Sequence, residues 1–265
     1  MKNVLRLAMN LRKSKMMKET NSSISQIVHL LIAVCIIGTP TQAQYGGGDG
    51  TAENPYLIYT DEQMDTIGTK TRDWNKHFKL MADIDLSSFG RTFHIIGTSG
   101  GGQFSGVFDG DGHSISNFEC GAPDTFGIGL FSYVNGQNAQ IKNLRLIDPV
   151  IHAETEDAIG SLIGRIYRGT ITTCSVENGT VFGNESVGGL IGVNSNACLI
   201  TECYSSATVS GSTGVGGLVG ENFGKITNCY SIGSVFGNKK VGGLVGNAHN
   251  PDSITNCYST AFVSG

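Results

Sequence analysis

From about residue 115 onward, short apolar segments alternate with glycine and small polar residues, and the pattern repeats itself. Val187-Gly188-Gly189-Leu190-Ile191-Gly192 returns as Val215-Gly216-Gly217-Leu218-Val219-Gly220 and as Val241-Gly242-Gly243-Leu244-Val245-Gly246, with Ile159-Gly160-Ser161-Leu162-Ile163-Gly164 as a weaker earlier copy. Successive leucines stand 28, 28 and 26 residues apart. A second frame follows each copy: Ile171-Thr172-Thr173-Cys174, Ile200-Thr201-Glu202-Cys203, Ile226-Thr227-Asn228-Cys229 and Ile254-Thr255-Asn256-Cys257. The same frame reads back to Ile141-Lys142-Asn143-Leu144 and Ile115-Ser116-Asn117-Phe118. A valine follows most of these isoleucines by nine residues, at Val150, Val209, Val235 and Val263. Length variation falls between the apolar positions, as it does when turns vary and strands hold their register.

A period of this size, in segments rich in Gly, Ser, Thr, Val and Asn, disfavours helical repeats. It fits a coil of short strands in which each turn pairs with the next, so that equivalent side chains stack about 4.8 Å apart. The expected fold is all-β, a right-handed parallel β-helix, with a propeller or sandwich as the alternative. Glycine is expected where the chain turns sharply or takes positive φ.

Such a stack needs a different first unit to cover its apolar end. Residues 44–112 are expected to form that cap and the first coil, and residues 113–265 the repeats, clearest over 159–265. Thr60 followed by Gln63 predicts a capping box, and Met64 and Ile67 give the short helix behind it one apolar side. His77–Leu86 and Phe104–Phe108 read as strands.

Residues 1–43 follow a different pattern. Six Lys or Arg precede an apolar run from Ile27 to Ile37, and Thr41-Gln42-Ala43 supplies small residues ahead of Gln44. That order predicts a signal peptide, with an uncleaved anchor as the alternative, and initiation at Met16 or Met17 would shorten its basic segment. The run is short for a membrane span, and no span is expected in the mature chain. Removing a leader of net +5 from a chain of net −4 leaves −9, a charge that repels phosphate backbones, so no nucleic-acid partner is expected.

Seven cysteines in an exported chain raise the question of disulfides. Cys174, Cys203, Cys229 and Cys257 share one repeat position, so their side chains point the same way at a Cβ separation wider than a disulfide favours. Buried free thiols are the expectation, and a ladder spreads its ligands too far for zinc. Tyr204, Tyr230 and Tyr258 follow these cysteines and should face outward, as a stacking ladder or as a ligand-contact row. Asp109-Gly110-Asp111-Gly112 has the opening of a calcium loop without the later ligands, and reads as a tight turn. Asp83 and Asp85 read as turn acids. The densest polar group, Asp148, His152, Glu154, Glu156, Asp157, Arg165 and Arg168, reads as a solvated loop. No catalytic residue, metal ligand or cofactor is assigned.

Gly189-Leu190-Ile191-Gly192, Gly217-Leu218-Val219-Gly220 and Gly243-Leu244-Val245-Gly246 resemble the GLUG motif of bacterial secreted and surface proteins, adhesin-like proteins and some immunoglobulin A peptidases among them. The segment from Phe104 through Gly106, Phe108, Gly110 and Gly112 to Ile115 resembles the opening coil of such proteins. The resemblance implies a repeat scaffold, and no His-Glu-x-x-His accompanies it. The function expected is a non-catalytic secreted or cell-surface module that binds a glycan or a host protein. A polysaccharide lyase or glycoside hydrolase on the same fold is the alternative. Because Val263-Ser264-Gly265 falls where earlier coils run on into the next Gly-Gly-Leu, further repeats are expected beyond it.

Overall fold

A computed structural model describes residues 44–100, 102–121, 126–250 and 253–265. The expected leader, residues 1–43, lies outside the described residues. From Tyr45 onward the chain forms a parallel β-solenoid of about six turns with one helix.

Every strand pairs in parallel with its counterpart one coil away, and the pairing register defines vertical columns. The isoleucine column runs Phe78, Phe108, Ile141, Ile171, Ile200, Ile226, Ile254. A second runs Ile84, Ile115, Leu146, Val176, Ser205, Ser231, Ser259. A third runs Cys120, Ile151, Val181, Val209, Val235, Val263. The motif leucines form a fourth, in which each backbone N–H of Leu162, Leu190 and Leu218 donates to the leucine carbonyl of the next coil at 2.9–3.0 Å.

Two column assignments differ from those the spacing predicts. Ile115 pairs with Leu146, so the counterpart of Ile141 one coil earlier is Phe108. Ile151, not Val150, occupies the valine column, and Val150 faces outward at 43% exposure. A one-residue difference in corner length carries Val150 to the opposite face, as strand alternation requires.

The corners also depart from expectation. Left-handed φ is taken mainly by other residues, in vertical lines: Asn143, Thr173, Glu202, Asn228 and Asn256 at 52–56°, and Asn117, Asp148 and Asn178 at 53–57°. Asn and Asp tolerate this region because their short side chains bond locally. The motif glycines Gly189, Gly192, Gly217, Gly220, Gly243 and Gly246 are not among the positive-φ residues. They allow close approach instead. A Cβ on Gly192 would stand 2.3 Å from Ala158 C, and one on Gly220 2.3 Å from Ser186 C, so the strand after each turn lies directly on backbone of the coil before.

The first described unit differs from the later coils and carries the helix. Thr60 caps the helix Asp61–Thr69, its Oγ accepting from Gln63 N, while Gln63 Oε1 accepts from Tyr59 N at 2.7 Å. Met64 and Ile67 are buried against the core. Trp74 Nε1 donates to Ile67 O at 2.8 Å, sharing this helix-end carbonyl with Lys70 N. Behind it Tyr45, Phe78, Phe104, Phe131 and Phe108 pack ring to ring along the axis at 5.0–6.2 Å. The predicted strand over 77–86 is two, His77–Leu80 and Ile84–Asp85, and Phe104 enters only as a bridge ahead of Val107–Asp109.

Candidate functional site: the tyrosine ladder and the outer columns

Outward columns alternate with the internal ones, and the tyrosine column stands out chemically. It reads Arg145, Ser175, Tyr204, Tyr230, Tyr258 in pairing register. Rings 204 and 230 lie 4.9 Å apart at an interplanar angle of 3°, and rings 230 and 258 lie 5.1 Å apart at 4°. This spacing is set by strand pairing, which carries each ring to one side of its neighbour. Each ring covers part of the next ring's face, and the free edges and hydroxyls remain outward.

The ladder ends in a charged bracket. Tyr204 Oη donates to Glu177 Oε1 at 2.6 Å, and Arg145 Nε lies 3.3 Å from the same oxygen. Burial first, then donation to the Glu177 carboxylate, pushes the Tyr204 phenol above its usual range. Burial, with Tyr258 and Glu177 nearby, does the same to Tyr230. The column thus presents neutral hydroxyls, with one ion pair at its amino-terminal end.

Beside it stands a second neutral column, Thr172, Thr201, Thr227, Thr255, in which Thr255 Oγ donates to Thr227 Oγ at 3.1 Å. Buried behind the tyrosines, Ser231 Oγ donates to the Gly243 carbonyl and bonds Ser259 Oγ at 3.0 Å.

The cysteine ladder lies one residue inward. Backbone N–H groups of Cys174, Cys203 and Cys229 donate to the sulfur of the next coil at 3.4–3.5 Å, and the thiols of Cys203, Cys229 and Cys257 donate to threonine carbonyls at 3.1 Å. All four are free thiols, as are Cys120 and Cys198. Burial pushes the Cys198 thiol up to about 12 and Cys120 to about 11, and it also raises Cys203. Contact with the Cys203 thiol, then burial, raises Cys229. Since the thiolate is the reactive form, these thiols should react with a disulfide reagent at pH 8 at least about tenfold more slowly in the native chain than after denaturation. Half-buried Cys257 should react first among the ladder. Equal native rates at Cys203 and Cys257 would contradict this burial order.

The other candidate acids are occupied. Asp109 accepts from Asn143 Nδ2 and Asp111 N, both at 2.9 Å, and stands 3.3 Å from Lys142 Nζ. Burial alone would raise its carboxyl, but these partners hold it below the usual range. Asp111 pairs with Lys79 at 3.0 Å. Asp83 accepts from Ser114 N, and Asp85 from Ser87 N and Asn117 Nδ2, so both fix corners. The polar group of residues 148–168 is spread over separate faces: His152 bonds Glu154, Asp157 accepts from Asn184 and Glu185 N, and Arg165 lies over the Tyr167 ring. Among the described residues no three His, Cys, Asp or Glu side chains gather as a metal site. Sequence reasoning missed an open cleft lined by Ser87, Asn117, Phe118, Glu119, Asp148 and Val150, because its walls come from different coils; its Glu119 is paired with Arg91 at 2.7 Å.

Leu190 and Leu218 are fully buried, whereas Leu244 is half-buried, as it packs against Leu218 and among the described residues no further leucine stacks on its other side. The family model of the GLUG motif matches residues 183–210, 211–235 and 237–264. The chain carries three GLUG repeats. The three matched repeats begin close to the corner between the valine column and the glycine-rich strand, so each is one whole coil.

A protein of Evansella cellulosilytica, carried under the provisional name Gly-rich membrane protein, is 35% identical over 171 residues, 59% of this chain and 19% of its own length. Halomucin of Haloquadratum walsbyi is 32% identical over 134 residues, 47% of this chain and 1% of its own. The chain thus spans a small part of the length of either relative. A crystal structure from Bacteroides ovatus, provisionally described as an immunoglobulin A1 protease, shares the fold with a TM-score of 0.68 at 24% identity, covering 83% of this chain and 78% of that one.

Proposed function

We propose that this chain is a non-catalytic repeat module, exported by the basic-apolar leader of residues 1–43 and displayed outside the cell, where its outer columns bind a glycan or a surface protein. The observation that carries the reading is the outer face itself. Hydroxyls of Thr201, Thr227, Thr255, Tyr204, Tyr230 and Tyr258 recur on a lattice set by strand pairing, about 4.8 Å along the axis. A regular row of neutral donors and acceptors suits a repeating ligand, whereas glycoside hydrolysis ordinarily needs two carboxylates facing one bond. The names of the two relatives, a membrane protein and a mucin, also favour a surface role. Among the described residues no helix is long and apolar enough to cross a membrane. The likeness to the Bacteroides ovatus chain supports the scaffold, and its printed activity is the second reading to be tested.

The full chain applied to arrays of glycans and of cell-surface proteins is expected to bind a polymeric ligand in preference to its monomer. Tyr230→Ser, placed mid-ladder, should weaken that binding at least about tenfold while costing roughly 1 kcal/mol of stability through lost stacking. Cleavage of immunoglobulin A1 or of a polysaccharide by the purified chain would replace this reading with an enzymatic one.

A further inference from the structure

We propose a divalent transition-metal site at Glu221, Asn247 and His249, on the edge of the coil away from the tyrosine ladder. Glu221 and Asn247 are register partners on adjacent coils, and His249 stands two residues further, where its N–H donates to Asn222 O at 3.0 Å. Three polar atoms converge there: His249 Nε2 lies 2.7 Å from Glu221 Oε1, Asn247 Nδ2 lies 2.9 Å from His249 Nε2, and Asn247 Nδ2 lies 3.1 Å from Glu221 Oε1.

With the carboxylate ionised, the imidazole and the amide can each donate to Glu221 Oε1, and the third side of the triangle, Nδ2 to Nε2 at 2.9 Å, is then a close approach of two donors. With Nε2 protonated, it donates to Glu221 but meets the Asn247 amide donor to donor. With Nε2 unprotonated, the amide donates to both neighbours, but a lone pair faces the carboxylate at 2.7 Å. Turning the amide over puts its oxygen against the carboxylate oxygen at 3.1 Å. Side-chain amide orientation and histidine tautomer are both free to adjust. A cation would give the three groups one common partner, with the imidazole lone pair, the amide oxygen and the carboxylate oxygen all directed at it.

The dimensions suit one. Ligands about 2.1 Å from a metal stand about 3.0 Å apart at right angles and about 3.4 Å apart at the tetrahedral angle, so the triangle matches three facial positions of a six-coordinate ion better than three corners of a tetrahedron. The supports expected around ligands are present as well. Ser186 Oγ donates to the other Glu221 oxygen at 3.2 Å, and the Phe223 ring lies flat on the imidazole at 3.9 Å and 10°, fixing its plane. Glu221 and His249 keep 24% and 39% side-chain exposure, which leaves the remaining coordination positions to water or to a ligand. One imidazole, one carboxylate and one amide oxygen favour the zinc and nickel class over calcium. The site is independent of the proposed glycan or protein binding.

The metal-stripped full chain, titrated with zinc chloride and separately with nickel chloride against a chromogenic chelator, should bind one equivalent at this site. Glu221→Gln and His249→Ala should each weaken that binding at least about tenfold, with the circular dichroism spectrum unchanged. Asn247→Asp, which supplies a charged oxygen at the same vertex, should tighten it. The same titrations in a Cys257→Ser background exclude the half-exposed ladder thiol as the ligand. Absence of binding by the wild type, equal binding by the first two variants, or no gain with Asn247→Asp would overturn the site.

Discussion

Gly220→Ala is expected to destabilise the repeat region by at least about 3 kcal/mol, lowering the melting temperature by roughly 6–12 °C. The added methyl would meet Ser186 C at 2.3 Å and Val187 N at 2.5 Å. Both are backbone atoms of the preceding coil, so no rotamer change relieves the contact. Paired sheets ordinarily stand about 10 Å apart because side chains fill the space between them. At the motif turn Gly188 and Gly192, Gly216 and Gly220 remove those side chains, and backbone lies on backbone. Moving the strand outward to admit a methyl would pull Leu218 from the core and break its bond to Leu244. Gly100→Ala is the control: a Cβ there meets nothing within 4 Å, and its effect should stay within about 0.5 kcal/mol. Thermal unfolding of both variants checks the difference, and equal melting temperatures would show that the motif glycines serve some purpose other than close approach.

The same geometry explains how much the sequence disclosed. The isoleucine, leucine, valine and cysteine columns were legible from spacing wherever coils have equal strand lengths, because a parallel stack turns sequence period directly into register. Legibility failed where a corner gained or lost a residue. Val150 sits nine residues after Ile141, like its supposed counterparts, yet it faces out and Ile151 faces in. Ile115 matches a motif by letter, but its coil reaches the isoleucine column seven residues earlier, at Phe108. Glycine's role was legible only in part: among the described residues ten glycines take positive φ, but the vertical lines of left-handed corners in the repeats are mostly Asn, Asp, Thr, Glu, Ala, Ser and Lys, and no sequence signal separates a left-handed Asn from an ordinary turn Asn. The tyrosine ladder was visible because its three members follow three repeated cysteines. The Glu221, Asn247 and His249 group was not, since its members occupy two columns and no copy of the set appears in another coil. Its signal exists only as distance.

Leu218→Ala should cost on the order of 2–5 kcal/mol, and the comparison with its neighbours makes the prediction discriminating. Leu218 is fully buried between Leu190 and Leu244, and its backbone bonds both at 3.0 and 2.9 Å. Truncation leaves a cavity that touches two coil interfaces, and in a stack where stability resides in nearest-neighbour contacts both are weakened together. Leu190→Ala has the same surroundings and should cost as much. Leu244 packs against Leu218 on one side only and is half-buried, so Leu244→Ala should cost less than about 2 kcal/mol. Urea unfolding of the three variants gives the ordering, and amide exchange locates it: protection should fall over residues 185–248 in Leu218→Ala but mainly beyond residue 237 in Leu244→Ala. If Leu244→Ala were as costly as Leu218→Ala, the leucine column would not be the vertical core that the pairing register describes, and the coil-by-coil account of stability would fail with it.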